Sequence, residues 1–387
     1  MHRNKIFCVS AMLVLMLSSC IKRYDPVIES NDAVKFVVSG QVTKGDTVQR
    51  INISMTSPIS EPKYIPVTGC VVKIIDDKGN SYPLADMLDG NYEVNFPESM
   101  ITAGMSFKVD ILTPGGVNIV SDFDQVYECP DIDSVYYVRK DIPTSNPEVF
   151  TKGIQFYVDL NAENTNSHYF RWEPVETYEY HSTWPKEWYY DGEVHHVVPP
   201  DYSQFVCWRT TMVKNIFSLS TENLAENKYM LFPLQFVDNK SSSRLVYGYS
   251  LLLRQLSLSE AGFAYWEKIR INTNQEGGLY DKQPLAIQGN LHNLTNPDQS
   301  VLGFFGASSM KSKRIFVSNV ENLPNEFNPN CAPGEPMRLG FREIAPEEYP
   351  AYLYGDKYGY RMQQIERGCV DCMNLGGTNV KPAFWPY

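Results

Sequence analysis

Cys70-Val71-Val72-Lys73-Ile74-Ile75-Asp76-Asp77-Lys78-Gly79 is the stretch that decides the fold. Its β-branched run suits a pleated, half-buried surface, because side chains stiff at χ1 lose little on entering a strand. Asp76-Asp77-Lys78-Gly79 then supplies turn chemistry, and Leu88-Asp89-Gly90-Asn91-Tyr92 repeats the signal with glycine where φ must be positive. On the N-terminal side, Val34-Lys35-Phe36-Val37-Val38-Ser39-Gly40 starts a strand, and Val48 to Met55 alternates through Val48, Ile51, Ile53 and Met55. On the other side, Phe107 to Leu112 alternates and stops at Pro114-Gly115-Gly116. Short strands at this spacing, without a helical period, predict a small β-sandwich over residues 33–125.

Residues 126–143 read as a link, and residues 144–387 as a larger antiparallel β domain. Its strand signals are Gly153 to Leu160, Tyr169 to Tyr180, Phe205 to Lys214, Leu245 to Leu253 and Arg314 to Val320. One segment reads as helix. Ser257-Leu258-Ser259-Glu260 matches a capping box with Ser257 at the N-cap, and Leu258, Ala261, Tyr265 and Ile269 recur at helical spacing to about Arg270. The fold class expected is therefore all-β with one short helix.

The first 19 residues read as a lipoprotein signal peptide. His2, Arg3 and Lys5 are basic, Phe7 to Leu17 is uncharged and mostly apolar, and Leu17-Ser18-Ser19-Cys20 is a lipobox. Eleven residues fall well short of the roughly 20 needed to span a bilayer. Cys20 is the expected lipidation site, residues 20–32 the tether, and the partner a membrane. The mature start Cys20-Ile21-Lys22-Arg23 lacks the acidic second and third positions expected of surface export. It leaves a periplasmic or a surface-facing orientation open.

Loss of Arg3 and Lys5 with the signal takes the formal charge from −11 to −13. That balance, without a Lys/Arg cluster, argues against nucleic acid as a partner. Hydrophobic content of 43% with 20% charged residues is that of a globular chain,.

Residues 168–208 hold twelve aromatic residues and four of the six histidines. Within them, Trp188-Tyr189-Tyr190-Asp191-Gly192-Glu193-Val194-His195 reads as a hairpin on a two-residue Asp-Gly turn. That register pairs Tyr190 with Glu193, Tyr189 with Val194 and Trp188 with His195. Both faces carry aromatics, so Trp188, Tyr189, Tyr190 and His195 are the candidate binding residues. Adjacent His195 and His196 point to opposite faces of a strand and suit no common metal ion. With no zinc-type spacing, neither a metal nor a cofactor is expected. No Gly-x-Ser-x-Gly elbow, P-loop or dinucleotide fingerprint occurs, so no catalytic residue is assigned and an enzyme is not expected. Glycosidase-type carboxylates leave no local spacing to read, which keeps a hydrolase as an alternative.

The pattern Val67-Thr68-Gly69-Cys70-Val71-Val72, Asp77-Lys78-Gly79 and Asp89-Gly90-Asn91-Tyr92 resembles the carboxypeptidase regulatory-like, transthyretin-type sandwich, a structural and binding module. That resemblance implies an immunoglobulin/transthyretin-like β-sandwich for residues 33–125. The C-terminal end resembles a Bacteroidota lipoprotein family, domain of unknown function 4249. Its tail motifs here are Cys369-Val370-Asp371-Cys372, Gly376-Gly377-Thr378-Asn379 and Lys381-Pro382-Ala383-Phe384-Trp385, with Ala383 where members usually carry Asp. Ile132-Asp133-Ser134, Cys207-Trp208, Tyr265-Trp266, Gln288-Gly289-Asn290 and Val301-Leu302-Gly303-Phe304-Phe305 follow the same family in order. The resemblance implies an outer-membrane lipoprotein whose relatives often lie beside TonB-dependent transporters. The function expected is a binding or accessory role in nutrient uptake, with a structural spacer or assembly factor as the alternative.

Six cysteines remain after the signal is lost and Cys20 is acylated, and in an exported chain they are expected in disulfides. Cys70 and Cys129 bracket the first domain, at positions where the family more usually carries other residues, and are expected to pair. Among Cys207, Cys331, Cys369 and Cys372, at least one tail cysteine is expected to reach back to Cys207 or Cys331. The alternative wiring, Cys369–Cys372 with Cys207–Cys331, stays open.

Overall fold

The computed structural model describes residues 34–58, 61–274, 287–335, 341, 344–355 and 362–386; Cys20 and the signal lie outside them. The chain is all-β, with strands in four sheets and one α-helix, Glu260–Asn274, among the described residues. None of their helices is long and apolar enough to cross a membrane.

Alternation builds the first sandwich. Strand Val71–Asp76 turns Val72 and Ile74 inward and leaves Val71 and Lys73 exposed. Strand Ser106–Leu112 does the same with Phe107, Val109 and Ile111. These side chains meet Val38, Val42, Ile51 and Ile53 from the antiparallel pair Phe36–Lys44 and Val48–Met55. The Asp76 turn is fastened by its own carboxylate, which accepts from Lys78 N (3.0 Å), Asn80 N (2.8 Å) and the Tyr82 hydroxyl (3.1 Å). Burial opposes ionisation there, but these hydrogen bonds outweigh it and hold the carboxyl below the usual range,.

The boundary expected at residue 125 does not exist as a break in the fold. Strand Leu291–Asn293 pairs with Asn118–Ser121, and strand Leu302–Val317 lies parallel to Phe36–Lys44, from Val37↔Leu302 to Lys44↔Ser309. The remainder of that long strand runs antiparallel to Gly248–Ser257. One ten-stranded sheet therefore serves both units. Its second half packs on a three-stranded sheet through Ile154, Phe156, Trp172, Tyr249 and Leu251. Half of the expected link is also strand, since Ser134–Pro143 pairs with Phe150–Asn161 along its whole length.

Two local expectations shift. The helix is capped by Ser259, whose hydroxyl accepts from Gly262 N at 3.0 Å. Ser257 instead ends strand Gly248–Ser257 and donates to the Tyr127 carbonyl at 2.6 Å. The second shift is covalent: Cys70 and Cys129 are both free and buried, not bonded to each other. Cys70 lies beside Tyr92, whose hydroxyl accepts from Cys70 N at 3.0 Å. Cys129 points into the second unit, with Sγ 3.2 Å from the Gln255 carbonyl. Burial pushes the Cys129 thiol up to about 12 and raises that of Cys70. We expect iodoacetamide to spare both thiols in the folded protein and label both after denaturation without reductant. A disulfide-linked Cys70/Cys129 peptide in the mass spectrum contradicts this assignment.

Candidate functional site

The carboxy-terminal segment is wired to two separate parts of the fold. Cys207–Cys372 and Cys331–Cys369 are the disulfides, with Cα separations of 5.8 and 5.6 Å. Both tail cysteines thus reach back, as expected for at least one. The Cys-Val-Asp-Cys segment closes on its own backbone, since Asp371 accepts from Met373 N (2.9 Å) and caps the turn Cys372–Leu375. Around it, the Tyr180 hydroxyl donates to the Cys372 carbonyl (2.8 Å), and Thr183 N and Trp184 N donate to the Cys369 carbonyl (3.0 and 2.9 Å). Trp385 is buried and its Nε1 donates to Glu179 (3.1 Å). Phe384 stays partly exposed, with the Arg314 guanidinium 3.6 Å from its ring centroid.

The tail clasp supports a four-stranded sheet of Val194–Asp201, Lys186–Tyr190, Ala351–Tyr354 and Gln363–Ile365. The aromatic hairpin is present, but one residue out of the expected register. Trp188 pairs with His196, Tyr189 with His195 and Tyr190 with Val194. Asp191, Gly192 and Glu193 form a three-residue loop, with Gly192 at φ 115°. A slip of one residue moves a side chain to the other face. His195 accordingly stacks on Tyr189 (4.5 Å between centroids), while His196 stacks on Trp188 (3.7 Å) on the opposite side.

The two faces have different fates. Trp188 and Tyr190 pack with Phe341, Ile344, Tyr349 and Leu353, and the Tyr190 and Phe341 rings stack at 4.8 Å. Both stay half-buried against the small core of Ile344, Ala351 and Leu353, and Tyr349 packs on the same cluster. Tyr189 and His195 share the other face with Tyr352, and there a concavity of about 370 Å³ opens. Tyr189 and Tyr349 supply its accessible aromatic surface, and Tyr352, buried with Ile365, Cys369 and Val370, forms its floor. Lys186, Asp191 and Gln204 supply its polar groups. Asp191 is 2.8 Å from His195 Nε2, and the Lys186 ammonium is 3.1 Å from Asp201 and 5.6 Å from the Tyr189 ring centre. Burial raises the Tyr349 and Tyr352 hydroxyls, so both stay protonated as donors near neutral pH,. Sequence reading missed Tyr349 and Tyr352, although Tyr349-Pro350-Ala351-Tyr352-Leu353-Tyr354 carries an alternating aromatic signal.

A second cavity, of about 170 Å³, lies where the helix meets the shared sheet. Arg171 lines it, 8% exposed, with its guanidinium 3.7 Å from the Trp266 ring centre and ion-paired to Glu173. Burial and neighbouring Arg254 push its pKa down to about 9, and its Nη1 has no hydrogen-bond partner among the described residues. Two carboxylates line the same cavity, but each is committed. Asp124 accepts from Ala307 N (2.7 Å), and Glu173 also faces Arg254 (3.6 Å). This is a polar seam locking helix to sheet, not an acid/base pair facing open space.

A family model described as Domain of unknown function (DUF4249) matches residues 21–314, about three quarters of the chain. The chain belongs to this family. Within the matched span, Gln288-Gly289-Asn290 and Val301–Phe305, two of the stretches that carry the resemblance, acquire a structural meaning. Asn290 Nδ2 donates to the Phe305 carbonyl (2.8 Å) and its Oδ1 accepts from Phe305 N (3.0 Å), bracketing the start of the long shared strand. Three of the four clasp cysteines, Cys331, Cys369 and Cys372, and half of the aromatic sheet lie beyond the match, whereas Cys207 lies within it. No curated protein matches the chain.

Proposed function

We propose that this DUF4249 protein is held to the outer membrane by lipid on Cys20. There it acts as a non-catalytic binding or accessory component of a TonB-dependent nutrient-uptake system. The observation that carries the binding role is the concavity of Tyr189, Tyr349 and Tyr352 with Lys186, Asp191 and Gln204 on its wall. Rigid aromatic faces give contact area at low entropic cost, and a few polar groups fix orientation. The clasp of two disulfides keeps that surface preorganised, which lowers the ordering cost of binding. The family match starts at residue 21, directly after the lipobox cysteine, in keeping with an anchored mature chain.

The test is isolation of the detergent-solubilised protein together with whatever it retains. We expect an outer-membrane transporter or its ligand to co-purify. Recovery should fall about tenfold in the double variant Tyr189→Ala, Tyr352→Ala, the scale of one lost hot-spot contact of about 1.4 kcal/mol. Undiminished recovery with a folded double variant removes the concavity from the binding role.

A further inference from the structure

The end of the first sandwich at which the described chain begins carries exposed apolar residues from several loops. Register brings them together. Phe36 pairs with Met55 and Met55 with Ile65, Asn52 pairs with Asn91, and Val71 pairs with Leu112 at the mouth of the 113–117 turn. Leu294 N donates to the Asn118 carbonyl (2.8 Å), and Gln299 Nε2 to the Val34 carbonyl (3.5 Å), so the 294–299 loop closes the same end. Tyr64, Met87, Val71, Leu112 and Leu294 are each about half exposed there, and Leu88 is 80% exposed.

Leu88 is the telling residue. It sits at φ 64°, the left-handed region that glycine or asparagine enters at far lower cost than leucine,. Stability favours neither that backbone for leucine nor that exposure. Leu231 (φ 60°) is also exposed, so it is the gathering of apolar residues around Leu88, more than its backbone, that points to contact outside the fold,. The loop is nevertheless rigidly made. Asp86 accepts from Leu88 N (2.7 Å) and Gly69 N (2.6 Å), Asp89 accepts from Asn91 N (2.9 Å), and the Tyr64 hydroxyl donates to the Asp89 carbonyl (3.0 Å). These carboxylates are thereby turned onto the loop's own donors.

The geometry points to this end as a bilayer-contact face that rests in the headgroup region of the membrane, with Leu88 and Met87 as its deepest side chains. The assignment deepens the anchored reading of Cys20 and rests on it. Val34 is fourteen positions on from Cys20, a reach of at most about 50 Å, which keeps the end that carries Val34 within that distance of the anchoring lipid. Lys22 and Arg23 follow the anchor and suit anionic headgroups, whereas apolar and tyrosine side chains suit the boundary below them,.

The test uses the acylated full-length chain in vesicles of phosphatidylethanolamine and phosphatidylglycerol that contain doxyl-labelled lipid. An environment-sensitive fluorophore is placed at Leu88→Cys or, as control, at Val198→Cys on the exposed hairpin of the second unit. Quenching several-fold stronger at Leu88→Cys is expected. In the unacylated Cys20→Ser chain, adding Met87→Asp and Leu88→Asp should lower vesicle partition about tenfold, the loss of roughly two inserted apolar side chains. Equal quenching at the two positions overturns the contact face. So does protection of Leu88→Cys from an aqueous quencher without doxyl quenching, which identifies a protein cover instead. Failure of the anchored reading is seen separately, as an N-terminal peptide whose mass lacks acyl chains.

Discussion

Replacing Cys207 and Cys372 together by alanine is expected to lower the unfolding free energy by about 4–5 kcal/mol, close to the most a single disulfide contributes. The bond joins residues 165 apart, and the entropy it removes from the unfolded chain grows with the logarithm of that loop,. Cys331–Cys369 closes only 38 residues, and its removal should cost about 3–4 kcal/mol by the same relation,. Both Cys207 and Cys372 are fully buried, so paired alanines leave a small void and no unpaired thiol. The tail would then be held by the remaining Cys331–Cys369 bond, by the Tyr180 and Trp385 hydrogen bonds and by the Trp208–Thr378 bridge. Guanidinium unfolding followed by tryptophan fluorescence gives the free energy, and limited proteolysis shows whether the tail opens first. A loss under about 1 kcal/mol means that packing alone fixes the tail and that the loop-entropy account of this bond is wrong.

Local signals carried most of the strands, and non-local ones carried most of the surprises. Residues 70–79 were legible because β-branched alternation and an Asp-Asp-Lys-Gly turn act within ten residues. The pairing of Leu302–Val317 with Phe36–Lys44 was not, since nothing near Phe36 records a partner about 265 residues away. The bracketing of the first domain by Cys70 and Cys129 suggested a bond between them, because position along the chain ignores the direction in which a side chain points. In the fold, one thiol sits beside Tyr92 and the other beside Gln255, across the two units. At the candidate site, Tyr189 and His195 were identified, but their shared face was not. Asp-Gly fits a two-residue turn on composition, and only the backbone shows that Glu193 joins the loop. Much of the concavity comes from Tyr349 and Tyr352, more than 150 residues farther along, brought in by the pairing of Ala351–Tyr354 with Lys186–Tyr190.

Gly303→Ala is expected to destabilise the protein by about 3–5 kcal/mol, in the range reserved for backbone clashes in a packed core. Gly303 lies at φ 104°, and a Cβ built there falls 1.9 Å from the Val38 carbonyl oxygen, its neighbour in the parallel pair. Gly289 meets the same spot from the other side, where a Cβ would lie 1.8 Å from the Gly303 carbonyl oxygen. Three backbones thus converge at the point where the long strand enters the sheet shared by both units. Gly79→Ala is the matched control: it too has a positive φ, of 85°, but its Cβ meets nothing within 4 Å. It should cost only about 1 kcal/mol, the conformational penalty alone. The difference between the two variants therefore isolates close approach from backbone preference. If the shared sheet couples the units, the native chain unfolds in one transition and Gly303→Ala separates it into two. Equal costs for the two alanines would show that strand 302–317 tolerates displacement from Phe36–Lys44. The units would then be joined by packing, without a fixed backbone register.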